Sequence, residues 1–236
     1  IIPVINEGDR ITSQLLNLKE ISYRIDIIVA DGGSTDFSLD NVFLKKSNIR
    51  TLLVKNDIGK LSSQLRMAFK YAIDEGYHGI ITIDGNNKDS IENIYDFIKK
   101  LDENFDFIQG SRFLPQGEAI NTPLIRHLAI KLIHIPLISI LSGFRFTDTT
   151  NGFRGYSTKY LIHPKVEPLR DIFCSYELLA YLSVKASRLG LNVCEIPVKR
   201  KYPKSGKVPT KISAIKGNMQ LLKILFLLAL KKYDVK

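Results

Sequence analysis

Residues 80–89 read Ile80-Ile81-Thr82-Ile83-Asp84-Gly85-Asn86-Asn87-Lys88-Asp89. The first four are apolar or β-branched and have no helical period, which predicts a buried strand of a parallel sheet. Ligands of open α/β sheets bind just beyond the carboxyl ends of such strands, where Asp84 and Asn86 offer oxygen atoms. Hard divalent cations prefer oxygen ligands, so the pattern fits a site for a metal and a diphosphate. It fits equally well a turn that caps the following helix.

Strands and helices alternate on both sides of this stretch. The sequence predicts strands at residues 1–5, 25–30, 49–55, 80–84 and 105–109, and helices at residues 10–20, 61–75 and 90–101. The later part is less regular, with a helix at 172–189, a strand at 191–198 and a last helix at 213–232. Alternation of this kind is typical of a doubly wound sheet. We therefore expect an α/β fold with a mainly parallel sheet, flanked by helices, and an apolar C-terminal helix.

The basic charge is concentrated at the end of the chain. Residues 199–236 contain eleven Lys or Arg and one acidic residue, which accounts for the whole net charge of +10. Such a segment favours an anionic partner, namely a diphosphate, a lipid phosphate or an anionic membrane. A solvated basic face is the alternative interpretation. Nucleic acid is not expected, because few aromatic residues are interleaved with the basic ones.

Two apolar segments bear on membrane contact. Residues 221–230 are apolar almost all round and are flanked by lysines, so this helix lies on a membrane, docks to a partner or is buried. Residues 124–143 are also apolar, but Lys131, His134 and Pro136 interrupt them. We expect this run to be too short and too broken to span a membrane. No signal peptide is recognisable, which predicts a cytoplasmic protein at the inner face of the membrane.

Polar groups follow several of the predicted strands. Asp31 follows the second strand, Lys60 lies beyond the third, and Asp84 follows the fourth, so these groups converge at one edge of the sheet. No Gly-x-Gly-x-x-Gly or P-loop is present, which argues against an NAD-binding protein or a P-loop NTPase. A sugar-phosphate nucleotidyltransferase would carry a glycine-rich basic loop after the first strand. This chain has Asn6-Glu7-Gly8-Asp9 there.

The order and spacing of these motifs resemble those of family 2 glycosyltransferases. The matching segments are residues 2–7, 31–36, 56–60 and 84–86, and the resemblance extends over about residues 1–200. It implies the GT-A fold, which is Rossmann-like. It also implies a nucleotide-diphospho-sugar donor, such as a UDP- or GDP-sugar, and a divalent metal, Mg²⁺ or Mn²⁺. On the donor side, it implies that Asp31 reads the base, that Pro3 and Glu7 line the nucleotide pocket, and that Lys60 lies near it.

The same resemblance assigns the stretch that begins at Asp84. Asp84-Gly85-Asn86 stands in the Asp-x-Asp position, so Asp84 and Gly85 would contact the donor while Asp84 and Asn86 would hold the metal. Asn86 replaces the usual second aspartate, which removes one charged ligand. Lys88 replaces a residue near the metal, and its cation would repel the metal or contact phosphate instead. Asp89 would serve as a substitute ligand or cap the helix.

The second half resembles the dolichyl-phosphate mannose synthase branch, whose acceptor is a polyprenyl phosphate. Residues 110–113, 147–155 and 195–198 carry this likeness, together with the basic loop. Arg112 and Arg126 have the spacing of two arginines that bind the acceptor phosphate in that branch, and the arginine fork suits phosphate. Lys207 and Lys211 would close over the diphosphate or the lipid phosphate. Alternatively, Arg112 caps a core strand and Arg126 lies on a helix surface.

The implied reaction is an inverting sugar transfer, for which two acceptors remain open. A glycan hydroxyl, as in cell-surface polysaccharide synthesis, needs a general base, and Asp148 is the candidate. A lipid phosphate is already ionised and needs only to be positioned. Asp148 would then orient the acceptor and would not abstract a proton. A membrane-surface binding module is the alternative of another class. We expect a transferase domain at residues 1–198, with nucleotide-sugar binding in 1–110 and the acceptor side in 111–198, followed by a basic loop and helix at 199–236.

Overall fold

The computed structural model describes residues 1–21, 24–56, 58–204 and 216–235. The predicted phosphate-binding residues Lys207 and Lys211 lie outside the described residues. The strands in the described ranges are β1 (Ile2–Val4), β2 (Ile28–Asp31), β3 (Thr51–Val54), β4 (Gly79–Thr82), β5 (Phe107–Ser111), β6 (Glu118–Ile120), β7 (Arg154–Ser157), β8 (Val193–Pro197) and β9 (Lys199–Lys201). The helices there are α1 (Asp9–Leu18), α2 (Asn41–Lys46), α3 (Leu61–Asp74), α4 (Ile94–Asp102), α5 (Leu124–Ala129), α6 (Ile135–Ser142), α7 (Thr158–Leu161), α8 (Glu177–Arg188) and α9 (Lys216–Ala229).

Two sheets, β1-β2-β3 and β4-β7-β5-β8, meet edge to edge and form one main sheet with the order β3-β2-β1-β4-β7-β5-β8. Its first three strands are parallel, β7 is antiparallel to both of its neighbours, and β8 is parallel to β5. The amide of Ile83 donates to the carbonyl of Ile1 at 3.1 Å and that of Gly85 to the carbonyl of Pro3 at 3.3 Å, which joins β1 to the β4 segment. Strands β6 and β9 form a separate parallel pair. A mainly parallel mixed sheet flanked by helices confirms the predicted fold class.

The sheet has a hydrophobic core on each face. Successive side chains of a strand point to opposite faces, so Phe107 packs in one core with α3, α8 and α9, whereas Ile108 packs in the other with α1 and α4. The apolar residues of each helix recur at helical spacing, as in Ile11, Leu15 and Leu18 of α1. Because both faces are covered, polar ligands reach the sheet at its edges. The carboxyl edge is therefore the place for a site.

Helices α5 and α6 and the π-helical segment Ile130–His134 between them form one continuous run. This run, Leu124–Ser142, is long and apolar enough to cross a membrane by length and composition alone. The prediction that it is too short and too broken is therefore wrong. Pro136 comes directly after the π-helical segment, and because the run continues through it, its missing amide hydrogen leaves one helical hydrogen bond unmade. Helix α6 packs against α8, where the Ser187 hydroxyl donates to the carbonyl of Ser142 at 3.0 Å.

Candidate active site

The predicted donor-side residues on β1, β2 and β4 lie side by side. The carboxylate of Asp31 is buried at the end of β2 and accepts hydrogen bonds from the amide and the hydroxyl of Ser34 at 2.9 and 2.6 Å. Glu7 is also buried, and its Oε2 accepts from Nε of Arg10 at 2.9 Å. Gly85 donates to Pro3 across the junction of β1 and β4. A Cβ at Gly85 would lie 2.8 Å from Cγ2 of Val4, so only glycine fits this close approach.

Two buried glutamines, which the sequence argument missed, hold these loops together. Nε2 of Gln64 donates to the carbonyls of Val4 and Ala30 at 2.8 and 3.0 Å. Nε2 of Gln14 donates to the carbonyl of Asp84 at 3.1 Å, and its Oε1 accepts from the amide of Asn87 at 2.7 Å. Each glutamine lies on the apolar face of its helix, and that unusual position is the signal that sequence reasoning could have used.

Lys60 lies apart from this group. It immediately precedes α3, and its Nζ donates to Oε1 of Gln220 on α9 at 3.4 Å. The ammonium also stands 5.5 Å from the ring centroid of Tyr176. Lys60 therefore faces the C-terminal helix, and its predicted role beside the nucleotide stays a prediction.

Arg200 of β9 lies between two carboxylates at the end of β4. Its Nη2 donates to Oδ2 of Asp84 at 2.8 Å, and its Nη1 donates to Oδ2 of Asp89. Nη1 also reaches Oδ1 of Asn151 at 3.3 Å. The side chain of Asp89 is completely buried and that of Arg200 is 6% exposed, whereas that of Asp84 is 26% exposed. The guanidinium thus occupies the interior side of the predicted metal-and-diphosphate position.

Three cations surround the ring of Tyr202. Nζ of Lys88 lies 4.8 Å from the ring centroid, and the guanidinium carbons of Arg126 and Arg200 each lie 5.8 Å from it. Nη1 of Arg126 also donates to the hydroxyl of Tyr202 at 3.0 Å. We call Lys88, Arg126, Arg200 and Tyr202 the cationic cluster. It joins the predicted donor side at Asp84 to the predicted acceptor side at Arg126.

The predicted base Asp148 and the predicted acceptor ligand Arg112 are bound to each other. Nε of Arg112 donates to Oδ2 of Asp148 at 2.6 Å, and Nη2 donates to Oδ1 at 2.9 Å. The Arg112 and Thr150 amides also donate to this carboxylate. Both side chains are buried. The two predicted roles stay predictions, but the pairing itself favours a structural use of Asp148.

The charges of the site shift the pKa values of its members. Burial acts to raise the pKa of Asp84, but the charges of Arg200 and Lys88 outweigh it and hold this pKa below its ordinary value. Burial raises the pKa of Asp89 and lowers the pKa of Lys88 to about 8, which leaves the lysine mainly protonated at neutral pH. For Asp148 the burial penalty is exceeded by the charge of Arg112, so its pKa is lowered.

The sequence model of glycosyl transferase family 2 matches residues 1–163, which is more than half of the chain. The chain belongs to this family. It is therefore a nucleotide-sugar glycosyltransferase, as the motifs predict. An uncharacterised protein of Methanocaldococcus jannaschii is 27% identical to the transferase over 239 residues, covering 98% of this chain and 90% of that protein. Polyprenol monophosphomannose synthase of Mycolicibacterium smegmatis is 23% identical over 201 residues, covering 84% of this chain and 75% of that enzyme.

Solved structures of glucosyl-3-phosphoglycerate synthase from Mycobacterium tuberculosis share the fold of this transferase. The complex with Mn²⁺, UDP-glucose and phosphoglyceric acid has a TM-score of 0.66 and 15% identity, covering 97% of this chain and 77% of that chain. The complex with Mg²⁺ and UDP has a TM-score of 0.62 and 15% identity, covering 87% and 70%. The predicted GT-A fold is confirmed. Both of these neighbours were crystallised with a divalent metal.

The side chains of this transferase fit a divalent cation poorly at the predicted position. Asp84 is already paired with Arg200, and Lys88 contributes a second positive charge beside it. Oδ1 of Asn86 is buried without a hydrogen-bond partner in the described structure, but it is a single neutral oxygen. Within the described ranges, no group of three His, Cys, Asp or Glu residues could hold a metal. The predicted ligands Asp84 and Asn86 thus do not form a site that is ready for such an ion.

Proposed function

We propose that this transferase moves a sugar, with inversion, from a nucleotide-diphospho-sugar to a polyprenyl phosphate. The observation that carries the proposal is the cationic cluster, which extends from Asp84 on the donor side to Arg126 on the acceptor side. Both reactants bring phosphate groups to this place, and arginine binds phosphate through a planar fork of donors. The relative named polyprenol monophosphomannose synthase supports the acceptor class.

On the donor side, the nucleotide would bind along the ends of β1 and β2. Asp31 would recognise the base, Pro3 and Glu7 would line the pocket, and Lys60 would stand at its rim. The diphosphate would then lie over Asp84 and Gly85. The support for this placement is geometric, because the junction of β1 and β4 brings Pro3 and Gly85 into contact.

The chemistry follows from an ionised acceptor. A phosphate oxygen attacks the anomeric carbon from the face opposite the nucleotide diphosphate, which departs with the bonding electron pair. No proton has to be removed from a phosphate that is already ionised. Asp148 then serves to position Arg112, because hydrogen bonds from Arg112 and Thr150 already occupy both of its oxygens. This arrangement favours a phosphate acceptor over a glycan hydroxyl, which would need Asp148 as a base.

A polyprenyl phosphate lies in a membrane, and an apolar surface adjoins Arg126. The exposed apolar side chains of the run Leu124–Ser142 are Leu124, Ile125, Leu128, Leu132, Ile133 and Ile140. Those of α9 are Met219, Leu222 and Phe226, and the exposed Leu230 follows the helix. The run is tied to the domain at both ends, through Arg126 to Tyr202 and through Ser142 to Ser187. We therefore place it along the surface of a membrane and not across it.

An acceptor assay tests the proposal. The purified protein is incubated with UDP- and GDP-sugars and one of three acceptors: a polyprenyl phosphate in detergent, 3-phosphoglycerate or a neutral glycan. Transfer to the lipid phosphate is expected, and Arg126→Gln should reduce that transfer while donor binding persists. Arg50→Gln is the matched control, because Arg50 precedes β3 at the opposite edge of the sheet. Transfer only to the neutral glycan, or to no acceptor with any donor, would contradict the proposal.

A further inference from the structure

We infer that Arg200, together with Lys88, supplies the positive charge that holds the donor diphosphate, so that donor binding does not require a divalent cation. The inference rests on the proposed function, because it concerns the donor diphosphate of that reaction. It differs from the expectation that the family resemblance and the fold neighbours raise.

The position of Arg200 is fixed by the backbone. Strand β9 pairs with β6 in a register that sets Arg200 opposite Ala119, and a bridge joins Arg200 to Asp89. Along this segment Val198, Arg200 and Tyr202 are buried, whereas Lys199 and Lys201 are exposed. Arg200 is therefore an inward-facing residue of a strand and not a member of a solvated basic tail. Its guanidinium cannot leave Asp89 without leaving a carboxylate buried and unpaired, which is strongly unfavourable.

The charges at the site are balanced without an added ion. A divalent cation held by two carboxylates forms a neutral group. Here the carboxylates of Asp84 and Asp89 face the guanidinium of Arg200 and the ammonium of Lys88, which gives the same neutral group. A divalent ion added to these four residues would leave two uncompensated positive charges in a largely buried place. Both departures from the Asp-x-Asp pattern point the same way, since Asn86 removes a negative charge and Lys88 adds a positive one.

The site opens to solvent on the side from which a diphosphate would arrive. Asp84 is the most exposed of the three paired side chains, and Arg200 lies behind it at hydrogen-bond distance. A diphosphate that approaches the end of β4 meets the Asp84–Arg200 pair, with Lys88 and Arg126 both close to the ring of Tyr202. Fixed cations of this kind stabilise the charge that develops on a leaving diphosphate, because they are oriented before the reaction.

Calorimetric binding of UDP and GDP tests the inference. Wild-type protein freed of metal with EDTA should bind one of the two nucleotides about as tightly as protein supplied with Mn²⁺. Arg200→Gln should weaken the metal-free binding about tenfold or more, which is the usual size of a lost hydrogen bond to a charged group. Added Mn²⁺ should restore part of this binding, because Asp84 and Asp89 are then released. Lys201→Gln is the matched control, since it removes the same charge from an exposed position of the same strand.

A second variant distinguishes a loss of binding from a loss of folding. Asp89→Asn/Arg200→Gln removes both members of the buried ion pair and keeps the interior neutral, and thermal unfolding followed by circular dichroism checks each variant. Electron paramagnetic resonance of Mn²⁺ gives a readout that is independent of nucleotide. The wild type should leave the free Mn²⁺ signal unchanged, and Arg200→Gln should reduce it.

The outcomes separate the inference from the proposed function. Nucleotide binding by the wild type that disappears with EDTA and returns with Mn²⁺ would overturn the inference and leave the transferase function in place. Mn²⁺ binding to the wild type without nucleotide would overturn it as well. Absence of UDP and GDP binding under every condition, in folded protein, would remove the proposed donor site and the inference together.

Discussion

Arg112 and Asp148 form a buried bidentate ion pair, in which Nε and Nη2 of the arginine donate to the two carboxylate oxygens at 2.6 and 2.9 Å. A catalytic base has to meet its substrate, whereas a carboxylate in this setting mainly orients a guanidinium. The relationship explains how the loop that carries Asp148 is tied to the end of β5. It also leads to two predictions about stability.

Asp148→Asn should destabilise the fold strongly. The variant leaves the Arg112 guanidinium buried without its counter-charge, which typically costs about 3–5 kcal/mol. Urea unfolding at neutral pH, followed by circular dichroism, measures the change. Asp171→Asn is the control, because Asp171 is fully exposed and its ion pair with Arg66 should contribute nothing measurable. An unchanged unfolding midpoint for Asp148→Asn would show that the pair does not support the fold.

The same pair predicts a pH dependence of stability. Burial alone would raise the pKa of Asp148, but the charge of Arg112 outweighs it and lowers the pKa in the folded state. A lowered folded pKa means that the stabilisation is present above the unfolded pKa, about 4, and is lost as the pH falls through the folded value. The difference in unfolding free energy between wild type and Asp148→Asn should therefore be largest near pH 7 and shrink on acidification. Urea titrations at pH 7 and pH 3 measure it.

Tyr202→Phe should weaken the binding of the acceptor and leave the binding of the donor unchanged. The hydroxyl of Tyr202 accepts a hydrogen bond from Arg126, and its loss frees the guanidinium to move. We expect the KM for the acceptor to rise about three- to tenfold, the size of one ordinary hydrogen bond, because the hydroxyl acts on the acceptor only through Arg126. The affinity for the nucleotide, measured by calorimetry, should stay within experimental error. Tyr95→Phe on α4 is the control. Equal losses of donor and acceptor affinity would contradict the division of roles within the cationic cluster.

The common position of Asp31, Asp84 and Gly85 at one edge of the sheet could be predicted because it follows from local patterns. Asp31 and Asp84 each end an apolar run, and parallel strands bring their carboxyl ends together regardless of what lies between them. Gly85 also belongs to this part, since a glycine after a strand signals a close approach of backbones. The alternation of strands and helices is therefore enough to predict that these residues lie at one edge of the sheet.

Arg200 could not be found in this way. It lies in the most basic part of the chain, where the net charge suggests a solvated tail, and its carboxylate partners are more than a hundred residues away in sequence. Its burial depends on β9 pairing with β6, a long-range contact that no local pattern predicts. The one available signal is the period of two through Val198, Arg200 and Tyr202. The antiparallel strand β7 could not be predicted either. Its Gly155 and Ser157 lack the apolar character of a central strand.

Gly152→Ala should disturb the donor site directly. A Cβ at Gly152 would overlap Oδ1 of Asp84 and lie 3.1 Å from its Cγ, so the carboxylate has to shift from the position in which it pairs with Arg200. We expect nucleotide affinity to fall about tenfold, while overpacking lowers stability by about 1–3 kcal/mol. Calorimetry and urea unfolding measure the two effects.

Gly79→Ala is the control, because its Cβ would meet only the flexible end of Leu101 at the other end of β4. Unchanged affinity in Gly152→Ala would show that the position of Asp84 does not matter for the donor.

Leu124→Ser/Ile125→Ser should weaken binding to membranes. Ile125 is 83% exposed and Leu124 is nearly as exposed, both at the end of the run that Arg126 ties to the site. Each apolar side chain that enters a bilayer contributes about 1.5 kcal/mol or more, so two of them should change the partition constant by about a hundredfold. Sedimentation with phosphatidylglycerol vesicles measures the constant, and phosphatidylcholine vesicles report the part due to charge. Val42→Ser on α2 removes an exposed apolar side chain elsewhere and should have no effect. If vesicle binding persists in Leu124→Ser/Ile125→Ser but is lost when Phe226 on α9 is replaced by serine, the C-terminal helix provides the contact and the run Leu124–Ser142 does not.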